Sequence, residues 1–273
     1  MSRILTIAHL TFIEAFRRWI VPAAVLCSAL FLLVYGVALH FINAQIPMGV
    51  QRPFQLQFFT LAGLYVANFL TIAAAVLLPV DTLSGEIDSG VMQTLASKPM
   101  RRAEIVLGKW LTYWLMTAAY LAISAGGVVL VAFVTTGFAQ PHMGRALPLM
   151  LLGATVMLTF SVAGSARLKT VTNGIVAFAF YGLAFISGWV ELIGSFTRNE
   201  AARYVGTAMS LVSPSDALWR RAAYELQPPL TRGLQLTPFG AANVPSNAMI
   251  WWAAGLAALA LVVALRVFQR RPL

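Results

Sequence analysis

FFTLAGLYVANFLTIAAAVLLPV, residues 58–80, runs from Phe58 to Val80 without one charged side chain. About 20 apolar residues, rising about 1.5 Å each, cross a hydrocarbon layer about 30 Å thick. Only a helix or a closed barrel satisfies every backbone group there. The run is continuous and aliphatic rather than alternating, which selects the helix over a barrel strand. Working outward, the 273-residue chain is 59% hydrophobic and 10% charged, with a mean hydropathy of +0.79. The fold class that follows is an all-α integral membrane protein, one domain over residues 1–273.

Six spans are expected: Trp19 to Phe41, Phe58 to Val80, Trp110 to Thr135, Ala146 to Ala166, Val171 to Ile193 and Ile250 to Phe268. The join Arg167-Leu168-Lys169-Thr170 carries two cations and reads as a tight interfacial turn, not as the middle of one long helix. An even number of spans places both termini on one side. That side carries Arg3, Arg17, Arg18, Lys98, Arg101, Arg102, Lys109, Arg167, Lys169, Arg266, Arg270 and Arg271, whereas the opposite short loops carry only Arg52 and Arg145. The bias of cations toward cytoplasmic loops orients both termini and the 81–109 loop inward, at the cell (inner) membrane. The net charge of +10 therefore reads as topology and not as a nucleic-acid footprint. No cleavable signal peptide is expected, because the first apolar run begins late and lacks a small-residue cleavage site. The single Cys27 falls inside span one and allows no disulfide within the chain.

Residues 2–19, SRILTIAHLTFIEAFRRW, are amphipathic at helical spacing. Ile4, Leu5, Ala8, Phe12, Ala15, Phe16 and Trp19 share one face; Arg3, Thr6, Glu14 and Arg17 share the other, and Glu14 can pair with Arg18 at i, i+4. The region 1–18 is expected to lie along the inner membrane surface. About sixteen residues around Pro47, Gly49 and Pro53 join spans one and two. In span three, Ala118, Ala122 and Gly126 recur every four residues and predict a face for close helix packing. Asn68 and Asn173 fall within or near spans. Glu191, near the outer end of span five, is expected to be a solvated carboxylate.

The longest connection, 194–249, is expected outside. Within it, SPSDALWRRAAYEL, residues 213–226, reads as a helix: Ser213 caps, Pro214 suits the first turn, and Asp216 favours the positive end. Trp219, Ala222, Ala223 and Leu226 form an apolar stripe, with Arg220, Arg221 and Glu225 outside it. Such a helix either lies on the outer surface or dips part-way into the bilayer, the surface position being the simpler expectation.

Charges of both signs crowd into SGEIDSGVMQTLASKPMRRAEIVLGKW, residues 84–110, between two apolar runs. Gly90 to Ala96 is helix-compatible, and Pro99 disfavours the α conformation at Lys98, which ends that first helix. A second helix from Arg101 carries Glu104 and Lys109 into span three. Val91, Leu95 and Met92 offer an apolar face suited to a groove. From the residues alone, a plain hydrated loop with cations that only orient the chain is the favoured reading.

The order Glu86, Gly90, Leu95, Pro99, Arg102, Glu104, Gly108, Lys109 resembles the pattern of type-2 ABC transporter (ABC-2) permeases. There an acidic, glycine-containing element after span two leads through P-x-x-R-x-E-x-x-x-G-K into span three. Pro99, Arg102, Glu104, Gly108 and Lys109 match it position by position. Arg101 departs from the small capping residue many members carry, and Ser213-Pro214-Ser215-Asp216 stands where Asn-Pro-x-Asp is frequent. The resemblance implies a cytoplasmic coupling helix that docks on a separate ABC ATP-binding subunit through Glu86, Asp88, Gly90, Val91, Met92, Leu95, Pro99, Arg102, Glu104 and Lys109. It also implies a second permease copy, a route between the copies, and the helix of Pro214, Asp216, Trp219 and Arg220 near the outer mouth. The outer helix and the Phe268-Gln269-Arg270-Arg271 ending resemble permeases of nitrous oxide reductase maturation and of drug or lipid export, which favours export as the direction.

No Walker A pattern, G-x-x-x-x-G-K-[ST], is present; Gly108-Lys109 is followed by Trp110. ATP and Mg2+ are therefore expected on a partner, with no cofactor in this chain and no enzymatic role for it. His9, His40 and His142 are far apart and share no ligand spacing, so no metal site is expected. An autonomous secondary carrier would need buried ionisable groups or broken helices at mid-depth. An intramembrane enzyme would need catalytic groups converging there.

Overall fold

A computed structural model describes residues 3–17, 19–47, 49, 51–85, 101–228 and 244–270. Among these residues the chain is helical throughout, with no strand. In order, the helices are α1 (Arg3–Arg17), α2 (Ile20–Gln45), α3 (Arg52–Leu77), α4 (Arg102–Thr136), α5 (Met143–Ser165), α6 (Thr170–Phe196), α7 (Glu200–Val212), α8 (Ser215–Leu226) and α9 (Asn247–Arg270). Six of them, α2 to α6 and α9, are long and apolar enough to cross a membrane. Each falls on a predicted span. The Arg167–Lys169 join is a turn between α5 and α6, as expected.

One boundary moves. α3 begins at Arg52, so Pro53 lies in its first turn and not in a sixteen-residue loop. Proline is at ease there, because the first-turn N–H it lacks has no intrahelical partner to lose. At the head of α4, Arg101 is extended, and its N–H donates to Glu104 Oε2 at 3.0 Å. The carboxylate three residues on thus makes the backward half of a capping box, serving the N–H of the residue before the helix.

The bundle has two ends. The near end holds α1 and the finish of α9, with Ile7, Leu83, Ile105, Val106, Val162, Ala166, Ala264 and Phe268 in one buried cluster. The far end has its own core, where Leu61, Leu64, Leu121, Val128, Met150, Leu218, Trp219 and Leu226 meet. In lipid, apolar surface alone gives no preference for helix over solvent, so packing and polar ties must hold the helices together. Ser28 Oγ donates to Tyr120 Oη at 2.6 Å, joining α2 to α4. Asn43 Nδ2 donates to Thr135 O at 3.2 Å at the far end of the same pair.

α1 rides on α4 through Ile7, Thr11 and Ala15, and Thr112 Oγ1 donates to Ala8 O at 3.0 Å. Of the predicted apolar face, Leu5, Phe12, Phe16 and Trp19 remain exposed. The helix therefore has two apolar sides, one packed on the bundle and one exposed. The Glu14–Arg18 pairing involves Arg18, outside the described residues. The Ala118–Ala122–Gly126 stripe is corrected: Ala122 and Gly126 are exposed, and among the described residues nothing lies within 4 Å of where a Cβ on Gly126 would be. α4 packs instead through Leu121, Ala125, Val128 and Ala132, which lie on the buried side of the helix.

Candidate functional site

Of the residues expected to dock a partner, Glu86, Asp88, Gly90, Val91, Met92, Leu95 and Pro99 lie outside the described residues. What the structure describes are the two roots of that loop, and both are tied down. On the exit side, Arg102 Nη1 donates to Gln269 O at 3.1 Å, fastening the start of α4 to the end of α9. Lys109, one of the residues expected to dock, is only 3% exposed. Its Nζ donates to Thr82 O at 3.2 Å and approaches Thr82 Oγ1 at 3.4 Å. A buried ammonium is costly unless its protons are bonded, so Lys109 works here as an internal brace across the loop's base.

On the entry side, Asn173 in the first turn of α6 is wholly buried. Its Nδ2 donates to Val80 O and to Ser161 O, each at 2.9 Å. Ser161 Oγ donates in turn to Val76 O at 2.8 Å. The end of α3, the last turns of α5 and the start of α6 are thus joined by one carboxamide and one hydroxyl. Sequence reasoning had noted Asn173 without a role; an amide in the first turn of a span, near a loop already singled out, was the available signal. Asn68 is also buried, in α3.

The far end differs most from expectation. Residues 200–212 form a helix, α7, that the sequence reading missed, and α7 and α8 make a hairpin turning at Ser213-Pro214. α7 lies along α6 because Gly206 has no side chain: a Cβ there would sit 2.9 Å from Glu191 Cβ. α8 is no surface helix. Ser215, Ala217, Leu218, Trp219, Arg220, Ala222, Ala223 and Leu226 are all buried. The Ser215 carbonyl lies 3.4 Å from where a Cβ on Gly153 would be. Gly153 is ten residues into α5, about 15 Å along its axis. The turn therefore reaches well below the far surface, and α8 returns outward from it.

At that depth three ionisable side chains meet. Arg220 Nη1 donates to Glu191 Oε2 at 2.5 Å, and Arg220 Nε lies 3.1 Å from Asp216 Oδ2. Arg220 Nη2 donates to Ser210 Oγ at 3.1 Å, and Ser210 and Ser187 are 3.1 Å apart. The three side chains expose only 10–12% of their area. Two expectations are corrected here. Glu191 is buried and paired, not solvated, because α7 and α8 cover it. Arg220 belongs to the buried side of α8, because Glu191 and Asp216 need its charge. Ser213 is not the cap either: Pro214 occupies that position with no side-chain cap bond, and the buried Ser213 Oγ is unpartnered. Asp216 is in the first turn as expected. Trp219 packs on Tyr65, ring centres 5.3 Å apart.

The top of α8 is fastened as well. Gln57 Nε2 at 3.2 Å and Gln140 Nε2 at 2.8 Å both donate to Leu226 O, a terminal carbonyl with no partner inside its helix. Nearby, Glu225 pairs with Arg221 at 3.2 Å and with Arg145 at 3.9 Å. Among the described residues no three His, Cys, Asp or Glu side chains gather as metal ligands would.

The described residues thus form a bundle with six candidate spans, tied loop roots at one end and a braced hairpin at the other. The chain matches the family model described as ABC-2 family transporter protein over residues 5–273 and belongs to that family. No individual curated protein matches it.

Proposed function

We propose that this permease component moves its cargo outward, driven by a separate ABC ATPase that docks on the segment between Gly85 and Arg101. Membership of the ABC-2 family makes the chain a membrane subunit of an ABC transporter. The observation that carries the finer reading is the tying of both loop roots. Lys109 holds Thr82, Asn173 holds Val80, and Arg102 holds Gln269. A loop that receives force from a partner needs roots that pass it to several spans at once. Free energy enters through ATP and Mg2+ on the partner, by unequal nucleotide affinity for its open and closed forms.

In this reading the near end is cytoplasmic, in keeping with the cation bias, and both termini lie there. Two copies form the route between them in the inner membrane, and the α7–α8 hairpin sits at its outer mouth. The buried Glu191–Arg220–Asp216 group is what a carrier coupled to an ion gradient would need. Membership of the ABC-2 family favours ATP as the driving force, and this group then reads as a brace.

The test is co-purification in nanodiscs with the ABC ATPase encoded beside this chain, followed by ATPase assays on wild type and Leu95→Asp. A complex lost with Leu95→Asp is expected, since a carboxylate would be placed in an apolar contact. Failure of wild type to bind any ABC ATPase would sink the reading.

A further inference from the structure

We propose that Asn173 is a positioning residue that couples the loop root at Val80 to the far-end hairpin, with α6 acting as the strut between them; this rests on the permease reading above.

An Asn amide has two N–H protons, and here each has its own acceptor. One goes to Val80 O, just beyond α3, and one to Ser161 O in α5. The plane of the carboxamide is thereby fixed, and its Oδ1 lies against Gly164, where an added Cβ would overlap it. Val80 lies two residues before Thr82, the residue that Lys109 holds. The polypeptide entering the loop is therefore gripped twice, once by α4 and once by α6.

The second grip leads to the buried turn of the far-end hairpin. From Asn173, α6 runs without a proline to Glu191, about 27 Å along the axis. Glu191 is bonded to Arg220 of α8, and Arg220 to Ser210 of α7. A continuous helix with a polar clasp at each end transmits axial shift and tilt, since its own hydrogen bonds resist shortening. Displacement of Val80 thus reaches the hairpin through Asn173 and α6. α3 and the segment after α4 also reach α8, through Gln57 and Gln140, but at Leu226 on its outer end and not at its buried turn. Spatial continuity alone does not establish coupling; movement of the far end must depend on the near clasp.

Two substitutions remove the clasp by different routes. Asn173→Leu deletes both bonds. Gly164→Ala leaves Asn173 in place but pushes its amide aside; alanine suits helix α5 better than glycine does, which offsets part of the overpacking, and retained complex formation reports a folded bundle. In a Cys27→Ser background, spin labels at Val134→Cys in α4 and Phe196→Cys in α6, both exposed positions, report the far-end distance. The complex with the neighbouring ABC ATPase is compared without nucleotide and with ATP trapped by vanadate.

The expected result is an ATP-dependent distance change in the otherwise wild-type complex that is at least halved in both variants, with ATP hydrolysis and complex formation retained. Both variants moving as wild type does would overturn the proposal while leaving the permease reading intact. Hydrolysis and movement falling in parallel in both variants would also overturn it, since that marks a general structural role. Absence of any nucleotide-dependent change in the wild-type complex would overturn the permease reading and this proposal with it.

Discussion

Arg220 and Glu191 stand 29 residues apart in sequence and 2.5 Å apart in space. The contact joins α8 to α6 below the far surface, and Asp216 shares the same guanidinium at 3.1 Å. Because all three side chains are about nine-tenths buried, the ions depend on one another, and removing one strands the others.

Arg220→Met should therefore lower stability by about 3–5 kcal/mol, the usual cost of leaving a buried charge without its partner. Converting Glu191, Asp216 and Arg220 together to Leu, Leu and Met should recover most of that loss. Thermal unfolding in detergent, followed by tryptophan fluorescence, would measure both. Equal stability for wild type and Arg220→Met would mean that water reaches the group in solution.

Gly206→Val places a branched side chain where even one carbon would meet Glu191 at 2.9 Å. Overpacking of this kind costs about 1–3 kcal/mol, and here it should part α7 from α6. Faster amide exchange over residues 200–226 with unchanged exchange in α4 is the expected pattern. Uniform exchange across the chain would show that the hairpin's position does not depend on this contact.

Gln57→Leu and Gln140→Leu should each be mild, because the surviving amide still serves Leu226 O. Each also removes a buried, unpartnered Oε1. The double variant leaves the carbonyl unpaired and should cost about 1–3 kcal/mol, more than the two single effects combined. A double-mutant cycle reads the coupling directly; strict additivity would mean that water replaces either amide.

Orientation has a simple test. Arg145→Cys, in a Cys27→Ser background, should react with a membrane-impermeant maleimide added to intact cells, and Lys169→Cys only after permeabilisation. The reverse pattern would invert the assignment of the near end to the cytoplasm. Native Cys27, exposed on α2 within a span, should stay unreactive in membranes and react in denaturant.

Much of the fold was legible because the bilayer leaves few choices. Runs such as Phe58–Val80 have to be helices wherever they sit, and Pro53 moved a boundary without changing the count. The helix around Pro214 was legible for the same reason, from local spacing and end chemistry. Its placement was not. Trp219, Ala222, Ala223 and Leu226 announce an apolar stripe, but a stripe faces lipid, surface or protein with equal ease. α7 was missed because EAARYVGTAMSLV follows a span so closely that it reads as loop.

Sequence alone thus determined six apolar helices, their order and a charged loop between the second and third, consequences of local hydrogen bonding and hydropathy. The tertiary structure decided what the few polar groups do. Glu191 read as solvated until α7 and α8 covered it; Arg220 read as an outer charge until two carboxylates claimed it; Asn173 had no role until Val80 and Ser161 came within 2.9 Å of its amide. The physical reason is range. Helix formation is settled within a few residues, whereas the worth of a buried charge or amide depends on partners 12 to 93 positions away, which only packing brings together.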